Sequence, residues 1–346
     1  MGKQREKTVT GRVLHDPVKD KLRPMFPLDL SKCRTVDELV RAMGDTAFTG
    51  RQIGDAADVF EQMARDKDCF VVMTLSGALT VGKMGLIFCD LIESGVVNAI
   101  VSTGALMAHG LVEATGYSHF RYNPNMGDKE LFHAGYNRVY DSLEPETNLD
   151  HVEEVMDHIF KAWDAEDTAC SWKIHRRIGE YLHKTAQGRG ILKSAFEHNV
   201  PIFVPAFSDS ELGIDFALHK IARQKDKRPL LRFDPFLDFE KFADTMLATR
   251  RMGILTIGGG VPRNWNSSAD RQNSSSQLVA AVRRLRGAAG AARLQETSTE
   301  ALQLWRADLP GAGPLGWLER KHVHGSSFLG KVCAAGRRRT FRGSVR

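Results

Sequence analysis

Four short stretches of this 346-residue chain place small hydroxyl residues, glycine or a carboxylate directly after an apolar run. They are Ser76-Gly77, Ser102-Thr103-Gly104, Ser208-Asp209 and Gly258-Gly259-Gly260. None of these residue types fills a core. Glycine lets backbone N–H groups approach a ligand closely and takes positive φ at little cost. Hydroxyls and N–H groups suit phosphate, and Asp209 suits a ribose hydroxyl or an amine. Each stretch also has an ordinary explanation: Ser76 and Ser102 as turn residues, Asp209 as a helix N-cap, the glycine triplet as a tight strand–helix connection. Four such strand ends in one sheet point instead to a pocket for a phosphate-bearing cofactor. Its candidate lining is Ser76, Gly77, Ser102, Thr103, Gly104, Asp209, Gly258, Gly259 and Gly260. No G-x-G-x-x-G follows the first strand, so this is not the usual dinucleotide fingerprint.

The elements that must position these residues alternate. Cys69–Leu75, 96–101, 201–207 and 253–257 read as buried strands. Apolar or amphipathic helices are expected at 84–94, 106–115, 151–165, 171–184, 191–198, from about 211, and at 238–251. Ahead of them, Thr35 and Glu38 form a capping-box signature for a helix, and a second helix covers 51–65. Residues 117–148 read as a long irregular segment, of the kind that is usually functional. The pattern predicts an α/β fold with a doubly wound, mostly parallel sheet, Rossmann-like, with helices on both faces and ligands at the C-terminal strand ends. Three segments follow: an arm over 1–34, the α/β domain over 35–264, and a tail over 265–346.

Composition narrows the function classes. No apolar run reaches the ~18 residues of a membrane span, and no signal peptide is visible at the charged N-terminus. Cys33, Cys69, Cys89, Cys170 and Cys333 are scattered without a Cys-x-x-Cys pair, as expected of reduced thiols in a cytoplasmic protein. The histidines show no metal-ligand spacing, so no metal site is expected. The net charge of +6 resides in the tail: residues 265–346 hold 14 Lys and Arg against 5 Asp and Glu, and residues 1–264 hold 34 against 37. A basic tail on a non-catalytic nucleotide-binding protein, touching nucleic acid, is therefore one alternative reading.

Ile100-Val101-Ser102-Thr103-Gly104-Ala105, the run from Asn199 to Asp209, and Gly253 to Val261 occur in an order and spacing that resembles the deoxyhypusine synthase family, over roughly residues 8–264. The resemblance implies an NAD-dependent transferase, assembled as a homotetramer with sites at subunit interfaces. NAD takes a hydride from spermidine, and a 4-aminobutyl group passes through an enzyme lysine to an acceptor amine. In the eukaryotic and archaeal enzymes that acceptor is a lysine of a translation-factor precursor. By motif, Ser76, Thr103, Gly104, Asp209 and Gly258 to Gly260 fall where the family holds NAD. Ala108 and His109 stand where the family usually has two glutamates. The family aspartate that grips the amine falls at Ile214, beside Asp215, and Asn264 replaces a histidine. His109 and Asp215 are thus the candidates for the amine side, on a divergent branch that acts on spermidine or a related polyamine.

The pattern stops near Trp265, beyond which the chain has no Ile, Tyr or Met. The family lysine sits in Ser-Trp-Gly-Lys, whereas this chain has Phe328-Leu329-Gly330-Lys331. One permitted coding, TTC CTG GGG AAA G, gives Ser-Trp-Gly-Lys once its first base is dropped. The tail then reads as a frameshift product, expected to be poorly ordered, with Lys331 an out-of-frame candidate for the catalytic lysine and the chain inactive as written.

Overall fold

The computed structural model describes residues 15–247, 249 and 251–266, with the backbone of two short strands before them. Lys331, Cys333 and nearly all of the expected tail lie outside the described residues. In chain order the elements are β1 (Thr8–Val9), β2 (Arg12–Val13), α1 (Val36–Gly44), α2 (Phe48–Arg65), β3 (Cys69–Leu75), α3 (Gly85–Glu93), β4 (Ala99–Val101), α4 (Gly104–Ala114), β5 (Phe120–Arg121), α5 (Asp128–His133), β6 (Tyr136–Val139), β7 (Ser142–Pro145), α6 (Glu146–Lys161), α7 (Ser171–Thr185), α8 (Ile191–Glu197), β8 (Ile202–Phe203), α9 (Glu211–Lys225), α10 (Phe236–Leu247) and β9 (Arg251–Ile257). The chain divides into two compact units, the first ending at Cys69.

In the first unit Thr35 caps α1 with the expected reciprocal bond to Glu38. α1 and α2 cross closely because Gly44 and Gly54 carry no side chain: a Cβ on Gly54 would lie 2.4 Å from Gly44 Cα.

The second unit is built on a four-stranded sheet of order β8-β4-β3-β9. β3 pairs parallel with β4, Met73 opposite Ile100, and β4 pairs parallel with β8, Ile100 opposite Ile202. Thr74 faces Thr256 at 3.1 Å, and Ser76 N–H donates to Ile257 O at 3.2 Å, so β9 runs in the same sense. Alternation along the strands sends Met73, Leu75, Ile100 and Ile202 to one face, where they join Leu106, Leu111, Met156, Phe160, Ile174 and Ile178. Val72, Ala99, Val101 and Phe203 go to the other, under Phe239 and Phe242 of α10. Both faces are covered, as a doubly wound sheet requires.

Two expectations are corrected. Residues 117–148 are not irregular: they hold α5 and an antiparallel sheet of order β5-β7-β6. Its strands have two to four residues, too short for an alternation to register, and Tyr140 turns the β6–β7 hairpin at φ +56. β4 and β8 are also shorter than their apolar runs, because Val96 to Asn98 and Val204 to Phe207 form connections rather than ladder. At the far end, Trp265 belongs to the packed core. Its ring lies 4.7 Å from Phe239, 5.0 Å from Phe242 and 5.7 Å from Phe203.

Candidate functional site

Parallel register puts the C-terminal ends of β3, β4, β8 and β9 on one edge of the sheet, and with them all four small-residue stretches. Chain order within the sheet is third, second, first, fourth. Growth from β3 therefore proceeds through β4 to β8 on one side and resumes at β9 on the other. The edge between β3 and β9 is the topological switch, where open α/β sheets take ligands.

Ser76 and the glycine triplet meet there. Gly258 and Gly260 have φ of +92 and +76, and a Cβ on Gly258 would lie 2.2 Å from Ser76 Oγ. Gly77, at φ +84, and Gly259 have open space where a Cβ would be. Residues 261–266 then turn into a helix, with Pro262 in its first turn, where its missing N–H costs nothing. One strand further on, Ser102 is buried and its N–H bonds Phe203 O at 2.8 Å. Thr103 is the N-cap of α4, but its side chain makes no capping bond. Gly104, in the first turn, lies so close to α9 that a Cβ would come within 2.3 Å of Ser210 Oγ. The start of α4, with its unsatisfied N–H groups, thus opens on the same edge. Ser210, not Asp209, is the N-cap of α9, accepting from Gly213 N–H; Asp209 is left exposed.

The amine-side candidates sit on the two helices that leave this edge. Asp215 projects from α9, half-buried, with Oδ2 lacking a hydrogen-bond partner. Burial, then the charges of Glu153 and Glu211, raise its carboxyl to about 7. Ile214, where the family aspartate falls, is exposed.

His109 projects from α4 into a cluster that sequence reasoning missed. Its Nδ1 lies 3.1 Å from Glu144 Oε2, and His119 Nε2 lies 3.2 Å from Glu144 Oε1. His119 Nδ1 faces Glu113 at 3.6 Å and Lys83 Nζ at 3.3 Å, and Lys83 pairs with Glu113. Burial alone would lower His119; the carboxylates of Glu113 and Glu144 beside it reverse that and raise it to about 9. Burial would raise Glu144, yet the two imidazoles bring it down to about 2. No spacing could have announced this group, because its members come from α4, the connection after it, and β7.

A cleft of about 410 Å³ opens at the opposite edge of the sheet, lined by Phe70, Asn98, Trp172 and Pro201 among others. It lies at the N-terminal strand ends and none of the candidate residues reach it.

The sequence matches the family described as deoxyhypusine synthase across residues 38–300. The chain belongs to the deoxyhypusine synthase family. It is 33% identical over 243 residues to "Probable deoxyhypusine synthase 2" of Methanosarcina acetivorans, covering 70% of this chain and 68% of that one. It is 31% identical over 230 residues to the "Deoxyhypusine synthase-like protein" of Coxiella burnetii, covering 66% of this chain and 64% of the relative, so it spans less than two thirds of that protein's length. A solved structure from Entamoeba histolytica that carries the deoxyhypusine synthase name superposes with a TM-score of 0.50 at 18% identity, covering 67% of this chain and 78% of the other. That likeness concerns the fold.

Proposed function

We propose that this chain carries the scaffold of an NAD-dependent transferase that moves a 4-aminobutyl group from spermidine, or a related polyamine, to an acceptor amine. The acceptor is a protein lysine, such as that of a translation factor, or a second polyamine. What supports the reading most is the placement of four small-residue strand ends on the C-terminal edge of one sheet, two of them at the topological switch, in a chain of this family.

The residues at that edge fit the cofactor. A cradle of Gly77, Gly258, Gly259 and Gly260 leaves backbone N–H groups uncovered, and three of its glycines hold φ values that other residues take only with strain. Ser76, Thr103 and Gly104 offer hydroxyls and a helix start for phosphates, with buried Ser102 bonded to Thr103 O behind them, and Asp209 offers an acceptor for a ribose hydroxyl. NAD bound there would supply a hydride acceptor for the polyamine and a hydride donor for the product. Asp215 is poised for an ammonium, since a cation beside it relieves the repulsion from Glu153 and Glu211. His109 turns Nδ1 to Glu144, which leaves Nε2 for the amine. Asp215 and His109 orient the substrate. A dry, desolvated lysine is required as nucleophile, and in this chain Lys331 stands out of the Ser-Trp-Gly-Lys frame, so we expect no turnover from the chain as written. Family-like assembly is a homotetramer, in the cytoplasm.

Calorimetric titration of the full chain with NAD tests the cofactor half of this reading. Saturable binding at one site per chain, lost in Gly258→Val, is expected. Binding that is absent from the parent, or unchanged in Gly258→Val, contradicts it.

A further inference from the structure

Glu144 stands between two imidazoles that come from different parts of the fold. His109 is on α4, His119 follows α4 before β5, and Glu144 is on β7. The two rings meet edge to face with centroids 5.5 Å apart. One donor atom from each residue lies within 4.8 Å of the other two. A tetrahedral first-row ion with bonds of ~2.0–2.2 Å needs donor–donor edges of about 3.3 Å. With Glu144 Oε1 as the carboxylate donor, two of the three edges are already there, at 3.2 Å to His109 Nδ1 and 3.2 Å to His119 Nε2.

Hydrogen bonding does not account for the cluster completely. The His119 side chain is only 2% exposed, and its Nε2 is poorly aligned with Glu144 and has no hydrogen-bond partner. An unpartnered buried imidazole nitrogen is costly. The other nitrogen of His119 is backed by the Glu113 carboxylate at 3.6 Å. A carboxylate behind the second nitrogen is the common support of a metal-bound histidine, where it orients the ring and raises its basicity. Lys83 approaches His119 too, but its charge is balanced by the ion pair with Glu113. Glu144 brings a negative charge that is 3% exposed and faces the imidazoles of His109 and His119.

We propose that His109, His119 and Glu144 bind a divalent first-row transition ion of the zinc class, with Glu113 supporting His119 from behind. Two nitrogens and one carboxylate oxygen suit zinc, cobalt or iron, whereas magnesium and calcium favour oxygen alone. Three protein ligands leave a coordination position open for water or a substrate atom. The proposal does not rest on the transferase reading, because it concerns ion binding alone.

Cobalt is the probe. The full chain, without a polyhistidine tag, is stripped with chelator and titrated with Co²⁺ while visible absorption is followed. One Co²⁺ per chain is expected, with the intense bands of a four-coordinate ion and without thiolate charge-transfer absorption. His119→Ala and Glu144→Gln each weaken binding more than tenfold, and Glu113→Gln weakens it by about tenfold. Near-UV circular dichroism checks that each variant is folded. Should His119→Ala not fold, His109→Ala decides, because that side chain is 13% exposed and less embedded. A parent chain that takes up no stoichiometric Co²⁺ overturns the proposal. So does a folded His109→Ala or Glu144→Gln that binds as tightly as the parent, since the ion is then held elsewhere. NAD titration of the same samples reads the transferase scaffold separately.

Discussion

Ser76 and Gly258 meet where the sheet changes its direction of growth, and the contact tolerates no side chain on the glycine. A Cβ there would lie 2.2 Å from Ser76 Oγ and 3.0 Å from Ser76 O, and φ is +92. The two residues are 182 positions apart in the chain, so the last strand of the sheet is tied to its first at the point where ligands sit.

Gly258→Ala should therefore cost stability and cofactor affinity together. Positive φ at a residue with a Cβ costs of order 1–3 kcal/mol, and relief of the Ser76 clash displaces the loop. A lower urea midpoint and at least tenfold weaker NAD binding are expected. Ser76→Gly, combined with Gly258→Ala, should recover part of the loss, because it removes the closest clash and leaves the strain and the 3.0 Å approach to the backbone oxygen of residue 76. Equal midpoints for parent and Gly258→Ala would show that the triplet does not adopt this geometry.

His175 on α7 sets an acid limit on stability. It is 2% exposed, its Nδ1 donates to Ser171 O at 2.6 Å, and its Nε2 has no partner. Burial pushes its pKa down to about 4 from 6.5. A depressed histidine contributes stability that is fully present above 6.5 and is lost as pH falls through about 4. Within that window the loss runs at ~1.4 kcal/mol per pH unit. Urea midpoints at pH 7.5 and 4.5 should differ more for the parent than for His175→Met. An equal drop in both would place the acid sensitivity elsewhere.

Arg223 closes the end of α6. It is 4% exposed and donates to Phe160 O at 2.9 Å, Trp163 O at 3.2 Å and Pro229 O at 3.0 Å, with Nε bonded to His219 Nε2. Lysine has no planar fork to reach these carbonyls together. Arg223→Lys should cost about 2–3 kcal/mol, as two or more buried carbonyls lose their donors. Chemical denaturation reads the difference; a shift below a few tenths of a kcal/mol would contradict the contacts.

Trp265 lies at the far end of the described residues. Trp265→Ala removes a ring stacked among Phe203, Phe239 and Phe242, for an expected loss of about 3–5 kcal/mol. A chain ending at residue 266 should accordingly melt higher than one ending at 264. Identical melting temperatures would mean that the packing at Trp265 contributes nothing.

The strand ends were legible in the sequence because strand and helix alternate with clear periods, and because glycine and hydroxyl residues cannot continue an apolar run. Cys69–Leu75 and the capping box of Thr35 and Glu38 were read with their bounds. His109 was found only through the family pattern. His119 and Glu144 were not found, because the sheet that carries Glu144 has strands of two to four residues and spans a stretch without period. Their relation to His109 is made by tertiary folding across 35 residues. The position of the α9 cap also moved by one residue, since Ser210 accepts the bond assigned to Asp209 and leaves that carboxylate exposed to ligands.

Mass spectrometry of the products formed from spermidine and NAD tests the proposed transfer most directly. Removing an aminobutyl group from spermidine leaves 1,3-diaminopropane. With the reading frame restored, so that the stretch at Phe328 to Lys331 reads Ser-Trp-Gly-Lys, the account predicts NAD-dependent release of 1,3-diaminopropane and an aminobutyl adduct on the enzyme lysine or on an acceptor amine. The chain as written should release none. Failure of the folded, frame-restored protein to release 1,3-diaminopropane, or release by the chain as written, would contradict the account.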